Sequence, residues 1–148
     1  VMKKIQVQAK LGPAFAIEVA AGDHQLYIDQ PKAGGGTDTG PSPLEYLFAA
    51  LAGCVGSIGR IVANQQRLPV RGMDIRVEGE LDPAVLLGRS TGTRAGFQQI
   101  VVTVDVDADL SEEQKRAFLQ EVDRRCPVSE NLLNATPVAV RLAQPATA

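Results

Sequence analysis

Alternating apolar and polar positions predict three short strands near the start of the chain. The segments "MKKIQVQAK" (2–10) and "AFAIEVA" (14–20) carry this alternation and are separated by the turn signal "LGP". The segment "HQLYIDQ" (24–30) predicts a third strand. It is followed by "PKAGGGTDTGPSP" (31–43), which has no apolar periodicity and therefore predicts a loop.

The pattern then changes to that of a helix, and its first residues are typical of a helix N-terminus. Ser42 is a suitable N-cap, Pro43 fits the first helical position, and Glu45 stands three residues after the cap. This arrangement predicts a capping box. The helix is expected to run to Gln66, because Pro69 disfavours helical backbone in the residue before it.

Two longer strands are predicted in the middle of the chain. In "VRGMDIRVEGEL" (70–81) and in "FQQIVVTVDVD" (97–107), apolar residues recur at every second position, so each strand has one apolar face. The segment between them, "DPAVLLGRSTGTRAG" (82–96), predicts a loop or flap.

A second helix begins at another capping box, formed by Ser111 and Gln114. Phe118, Val122 and Cys126 follow at steps of four residues and share one face of this helix. The segment that starts at Cys126, "CPVSENLLNA", is expected to break the helix and to restart it.

The chain is predicted to end in a closing strand, "PVAVRLA" (137–143), and a loose tail, "QPATA" (144–148). The order of elements is then βββ-α-ββ-α-β, in which strands and helices do not simply alternate. This order predicts an α+β fold, with an antiparallel sheet packed against long helices, in a single domain over residues 1–148.

Composition and charge exclude several classes of function. The 148 residues include 15 basic and 17 acidic side chains, and this near balance is not typical of a nucleic-acid-binding protein. No apolar run is expected to reach the roughly 18 residues of a membrane span. The first residues lack the apolar core of a signal peptide, so a cytoplasmic location is expected, with no nucleic-acid or membrane partner.

The two cysteines are the main candidates for chemistry. In a cytoplasmic protein they are expected to be thiols or a redox pair rather than a structural disulfide. Cys54 stands among alanines and glycines, which allow another backbone to approach closely, either a sheet or a symmetry-related helix. A lone buried cysteine usually acts as a small apolar side chain, so Cys54 by itself is a weak signal.

Cys126 follows Arg124 and Arg125, which favour a thiolate, although the end of a helix opposes one. If the helices that carry Cys54 and Cys126 pack together, one cysteine can form a sulfenic acid and the other can resolve it as a disulfide. The alternative is a pair of inert core thiols.

Other kinds of site have little support. One histidine and two cysteines are too few for a closed zinc site. The glycine-rich loop lacks the lysine of a phosphate-binding loop. We therefore expect no metal and no bound cofactor.

The stretch "GPSPLEYLFAALAGC" (40–54) resembles the OsmC/Ohr family of thiol peroxidases. Further similarity lies, in the expected order, in "HQLYIDQP", in "VRGMDIRVEGELD" and in the C-terminal half with its second cysteine in "CPVS". The resemblance covers roughly residues 3–142. It implies an α+β fold with two long central helices, an intertwined homodimer, and reduction of organic hydroperoxides with an external dithiol or lipoyl-type reductant.

By this resemblance Cys54 is the peroxidatic cysteine and Cys126 the resolving one. The family's arginine from the N-terminal strands has no counterpart, because no arginine precedes Arg60. Burial among alanines is expected to raise the pKa of Cys54, so a cation must lie close to it. Arg94 or Arg89 on the flap is expected to supply this cation, ahead of Lys10 or the second subunit.

The family's glutamate stands ten positions before the cysteine, where this chain has Leu44. Glu45 is one position later, and its capping role is the stronger interpretation. These departures keep a second function open: an OsmC-like domain without peroxidase activity that binds an apolar ligand or senses oxidants.

Overall fold

The computed structural model describes residues 1–146, and the last two residues of the predicted tail lie outside that range. Over these residues the fold is α+β, as the sequence predicts, with two antiparallel sheets and three α-helices. The elements are β1 (Gln8–Leu11), β2 (Ile17–Ala21), β3 (His24–Ile28), α1 (Pro43–Gln66), β4 (Val70–Glu80), β5 (Gln99–Ala108), α2 (Glu112–Arg125) and α3 (Pro127–Leu133).

The first sheet has the order β1-β2-β3, and both of its strand pairs are antiparallel. Ile17 lies in register with Leu11 on one side and with Ile28 on the other. The first strand is shorter than predicted, because residues 1–7 are not paired in a sheet. Ile5 is 80% exposed there, since no strand in the described part of the chain covers it.

The predicted closing strand at 137–143 is also absent from the sheets of residues 1–146. Its alternating apolar side chains, Val138, Val140 and Leu142, are 86%, 97% and 92% exposed. A strand requires a neighbour for its backbone hydrogen bonds, and the described chain offers this segment none. The prediction of a closing strand is therefore wrong for the isolated chain.

α1 begins with the predicted capping box. The Ser42 N–H donates to Glu45 Oε1 at 3.0 Å, and the Glu45 N–H donates to Ser42 Oγ at 3.3 Å. Over 18 residues the helix reaches a mean hydropathy of 1.6, so its length and composition would allow it to cross a membrane. The prediction from the sequence that no apolar segment reaches the length of a membrane span was therefore too strict. Because core helices of soluble proteins have the same property, it does not assign α1 to a membrane.

The residues divide into two compact units: residues 1–52 with 77–102, and residues 53–76 with residues from 103 onward. In the first unit, a buried carboxylate organises the loop before α1. Asp29 is 1% exposed, and its oxygens accept hydrogen bonds from the N–H of Gln30 and from the N–H and hydroxyl groups of Thr37 and Thr39. These hydrogen bonds hold the pKa of Asp29 far below its usual range. The Asp29 N–H also donates to Pro41 O at 3.1 Å, which closes the loop.

We expect Asp29→Asn to lower the melting temperature at pH 7. The amide NH₂ group of asparagine would face the N–H and hydroxyl donors of Thr37 and Thr39, which would then lose their acceptor. Asp38→Asn is the matched control: Asp38 is exposed and has φ of 56°, a conformation that asparagine tolerates. Since the pKa of Asp29 is lowered, its contribution is complete above the usual pKa of 3.8 and is lost as the pH falls toward the lowered value. Calorimetry at pH 7 and pH 3 should show the difference from wild type shrinking in acid; equal melting temperatures at pH 7 would contradict this role.

Packing in the second unit explains why part of α1 lacks bulk. A β-carbon at Gly59 would lie 3.2 Å from Met73 Sδ and 3.5 Å from the Phe118 ring, so Met73 would have to move to make room for one. At Gly56 a β-carbon would touch Ile75 of β4 at 3.5 Å. Gly53, in contrast, faces open space, with nothing within 4 Å.

Candidate redox site

The second unit contains both cysteines, and their sulfurs are in direct contact. The Cys126 thiol donates to Cys54 Sγ across 2.9 Å. Cys126 is fully buried at 0% exposure, whereas Cys54 is half-buried, and both are free thiols. The structure thus brings together the two residues that the sequence selected, and a disulfide between them requires little movement.

Cys126 is held at a corner between two helices. It follows the last residue of α2 and is also the N-cap of α3, where its sulfur accepts the Ser129 N–H at 3.5 Å. The Ser129 hydroxyl donates to Asp123 Oδ1 at 2.7 Å, which ties the start of α3 to the last turns of α2. The corner therefore fixes the direction of the Cys126 side chain. It also places the N–H donor of Ser129 at this thiol, which the end of α2 alone would not do.

The environment of Cys54 favours the protonated thiol. Burial, followed by the adjacent Cys126 thiol, raises the pKa of Cys54 above its ordinary value of 9.0, as expected from the sequence. A hydrogen bond from the backbone of Val128 acts in the opposite direction. Within residues 1–146, no arginine or lysine is among the groups that shift this pKa. Cys54 is therefore mainly a neutral thiol at pH 7.

The two arginines before Cys126 are engaged elsewhere. The Arg124 guanidinium makes two hydrogen bonds to Glu121, at 2.8 and 2.9 Å. Arg125 donates to Gln65 Oε1 at 3.0 Å and lies 3.5 Å from Glu121 Oε1. Because both guanidinium groups are held by Glu121 and Gln65, the suggestion that these arginines stabilise a Cys126 thiolate loses its support.

The other candidate residues belong to the first unit. Glu45 caps α1, which confirms the capping role that the sequence favoured for this residue. Arg89 and Arg94 are exposed on the flap, and the Arg94 guanidinium lies against Gly96, where a β-carbon would be 3.0 Å from Nη2. Lys10 is exposed in β1. Roles for these residues at Cys54 stay predictions.

The N–H groups of Val128 and Ser129 belong to the site but not to its prediction from the sequence. A signal for them was present, because proline directly after Cys126 suits the first position of a helix. An N-cap at Cys126 would have followed from that pattern.

The fold and the cysteine pair define an OsmC-like protein. A family model described as OsmC-like protein matches residues 35–141, and the chain belongs to this family. No curated protein matches the sequence.

Solved structures from this family share the fold over nearly the whole chain. The OsmC-like protein of Mycoplasma pneumoniae is 22% identical with a TM-score of 0.79, and the match covers 91% of each chain. An organic hydroperoxide resistance protein OsmC of Legionella pneumophila is 20% identical, with a TM-score of 0.67 and coverage of 89% of this chain and 90% of that one. The organic hydroperoxide resistance protein OhrB of Bacillus subtilis is 25% identical, with a TM-score of 0.59 and coverage of 90% and 93%.

Proposed function

We propose that this protein is a thiol-dependent peroxidase that reduces organic hydroperoxides in the cytoplasm. The observation that carries the proposal is the contact of 2.9 Å between a half-buried and a fully buried thiol. Similarity to OhrB of Bacillus subtilis, named for organic hydroperoxide resistance, supports the same class of reaction.

The exposure of the two thiols supports the roles that we propose for them. The Cys54 thiolate attacks the distal oxygen of the hydroperoxide, the O–O bond breaks, and the departing alkoxide takes up a proton to leave as an alcohol. Cys54 is then a sulfenic acid. The sulfur of Cys126 attacks that of Cys54, water leaves, and a disulfide joins the two residues. An external dithiol or lipoyl-type reductant restores both thiols, and no bound cofactor takes part.

We expect apolar side chains of the flap and of the first turns of α1 to favour organic over hydrogen peroxide. Phe48 and Phe97 pack together with ring centroids 4.7 Å apart. On the flap, Leu86 and Leu87 are 59% and 54% exposed, so their side chains are free to contact an organic group.

Consumption of cumene hydroperoxide and of hydrogen peroxide in the presence of dithiothreitol tests the proposal. We expect faster turnover of cumene hydroperoxide, accompanied by a disulfide between Cys54 and Cys126 in peptide maps. No consumption above the rate of dithiothreitol alone, or only intermolecular disulfides, would contradict it.

The raised pKa of Cys54 favours a second candidate function, an OsmC-like domain that binds an apolar ligand or senses oxidants. A sensor needs only slow oxidation, which a mainly protonated thiol allows. This candidate predicts a disulfide after prolonged oxidant exposure but no catalytic turnover.

We further propose that the protein is an obligate homodimer. The apolar side chains of the unpaired termini, Ile5 and Val140 among them, are 80% and 97% exposed and would be covered by a second copy. α1 also exposes a narrow face at Ala49, Gly53 and Ser57, which suits close contact between two helices rather than contact with lipid.

Gly53→Phe is expected to dissociate the dimer in sedimentation experiments, because the side chain would enter a helix–helix interface. The chain itself leaves room at this position, with nothing within 4 Å, so the substitution creates no clash inside one chain. Gly53→Ala is the matched control and should remain dimeric. A monomeric wild type at micromolar concentration, or an unchanged dimer in the Gly53→Phe variant, would contradict the proposal.

A further inference from the structure

The two sulfurs differ in their access to solvent, and this bears on how the oxidised pair is reduced. Thiol–disulfide exchange depends on which sulfur an incoming thiolate can reach. Cys126 is 0% exposed beneath the corner of α2 and α3, while Cys54 on α1 is half-buried. Attack on Cys54 therefore requires less opening of the protein.

The departing sulfur also matters, because exchange is faster when the leaving thiolate is better stabilised. Cys126 Sγ accepts the Ser129 N–H at 3.5 Å. Asp123 holds Ser129 in this position through a hydrogen bond of 2.7 Å to its hydroxyl group. A thiolate released at Cys126 thus finds a fixed N–H donor.

We propose that an external dithiol reduces the disulfide by attacking Cys54 Sγ, with Cys126 leaving as a thiolate. This inference takes the disulfide itself from the proposed function. In the first step, one thiolate of the reductant forms a bond to Cys54 Sγ, and the bond between Cys54 and Cys126 breaks. The second thiol of the reductant then attacks the reductant's first sulfur, which is bonded to Cys54 in the mixed disulfide, and Cys54 is released. The dithiol is oxidised to a disulfide, the protein disulfide is reduced by the same two electrons, and the released thiolates take up the two protons of the dithiol.

The covalent intermediate is therefore joined to Cys54 and never to Cys126. While it exists, Cys126 stands as a free thiol beside Cys54 and can expel the reductant again. A second thiol in the same reductant molecule competes with this reversal because its reaction is intramolecular.

The intermediate can be trapped with a monothiol. The disulfide is formed in the full-length protein with diamide, briefly exposed to glutathione, quenched with iodoacetamide and mapped by mass spectrometry. We expect glutathione on Cys54 and the alkyl group on Cys126, with at least about tenfold more adduct on Cys54. Adducts mainly on Cys126, equal adducts on both sulfurs, or failure of diamide to join the pair would each overturn the proposal.

Single-cysteine variants test the same difference in access without any transfer between the two sulfurs. Compared at a pH high enough to ionise both thiols, Cys126→Ser should form the mixed disulfide with oxidised glutathione at least about tenfold faster than Cys54→Ser. Equal rates would count against the proposal. Because diamide replaces the hydroperoxide, an adduct on Cys54 can be found even when hydroperoxide is not consumed; the proposed function would then fail and this inference would stand.

Discussion

Replacing Cys54 with serine should abolish the consumption of cumene hydroperoxide, lowering the rate with dithiothreitol by at least about 100-fold. A serine hydroxyl does not ionise near neutral pH and cannot form the sulfenic acid that the reaction requires. The fold should be unaffected, because serine is nearly isosteric with cysteine and the position is only half-buried.

Cys126→Ser separates the two proposed roles. This variant should still reduce one equivalent of hydroperoxide, since the attacking sulfur remains. The sulfenic acid on Cys54 then has no partner at 2.9 Å and should be trapped by dimedone or oxidised further to a sulfinic acid. If Cys54→Ser retains turnover and Cys126→Ser loses the first equivalent, the two roles are reversed.

The elements whose signals are local could be predicted from the sequence. The capping boxes at Ser42 and Ser111 both form with the expected partners. The alternation in β4 is confirmed by half-buried Ile75 and Val77 between exposed acidic and basic side chains. In these cases the residues that decide the structure lie within a few positions of one another.

The strand predicted at 137–143, and the first part of the strand predicted at 2–10, could not be assigned correctly by the same reasoning. The alternation at 137–143 is as regular as that of β4, yet this segment is unpaired. Alternation shows that a segment suits a sheet, but the partner strand must come from elsewhere. A pattern in one chain does not say whether that partner belongs to the same chain.

For the site, the sequence could predict that Cys126 is buried together with Phe118 and Val122, and the structure confirms this, since all three are at most 2% exposed. Cys126 itself, however, follows the last residue of α2. The sequence could not reveal that Arg124 and Arg125 are paired with Glu121. Helical spacing brings all three side chains within reach, but only the folded arrangement shows which partner each charge takes.

The second large effect that we expect concerns the positive charge that Cys54 needs close to it for peroxidase activity. Cys54 lies in the interior of α1, far from the helix ends, where the helix dipole contributes little. Because its pKa is raised, only a small fraction of Cys54 is thiolate at pH 7. As long as the pH is below the pKa, this fraction rises about tenfold for each unit by which the pH increases. A peroxidase of useful rate therefore needs a positive charge from outside the helix, and Arg94 and Arg89 on the flap are the candidates that we favour.

If a flap arginine reaches Cys54, Arg94→Ala or Arg89→Ala should raise the pKa of that thiol above the wild-type value and lower hydroperoxide turnover at least about tenfold, the change that corresponds to one pKa unit. The pH dependence of iodoacetamide alkylation measures that pKa directly; it should shift to higher pH in the critical variant, while Arg76→Ala, an exposed arginine of β4, leaves it unchanged. Both flap arginines are exposed, so circular dichroism and the melting temperature should match wild type. If neither flap variant moves the alkylation profile, the cation is not on the flap. If Cys54 of the wild-type protein is found to titrate above about 9, as burial alone would have it, no cation reaches the thiol. The binding or sensing function then replaces the peroxidase, because such a thiol is too weakly ionised to turn over hydroperoxide.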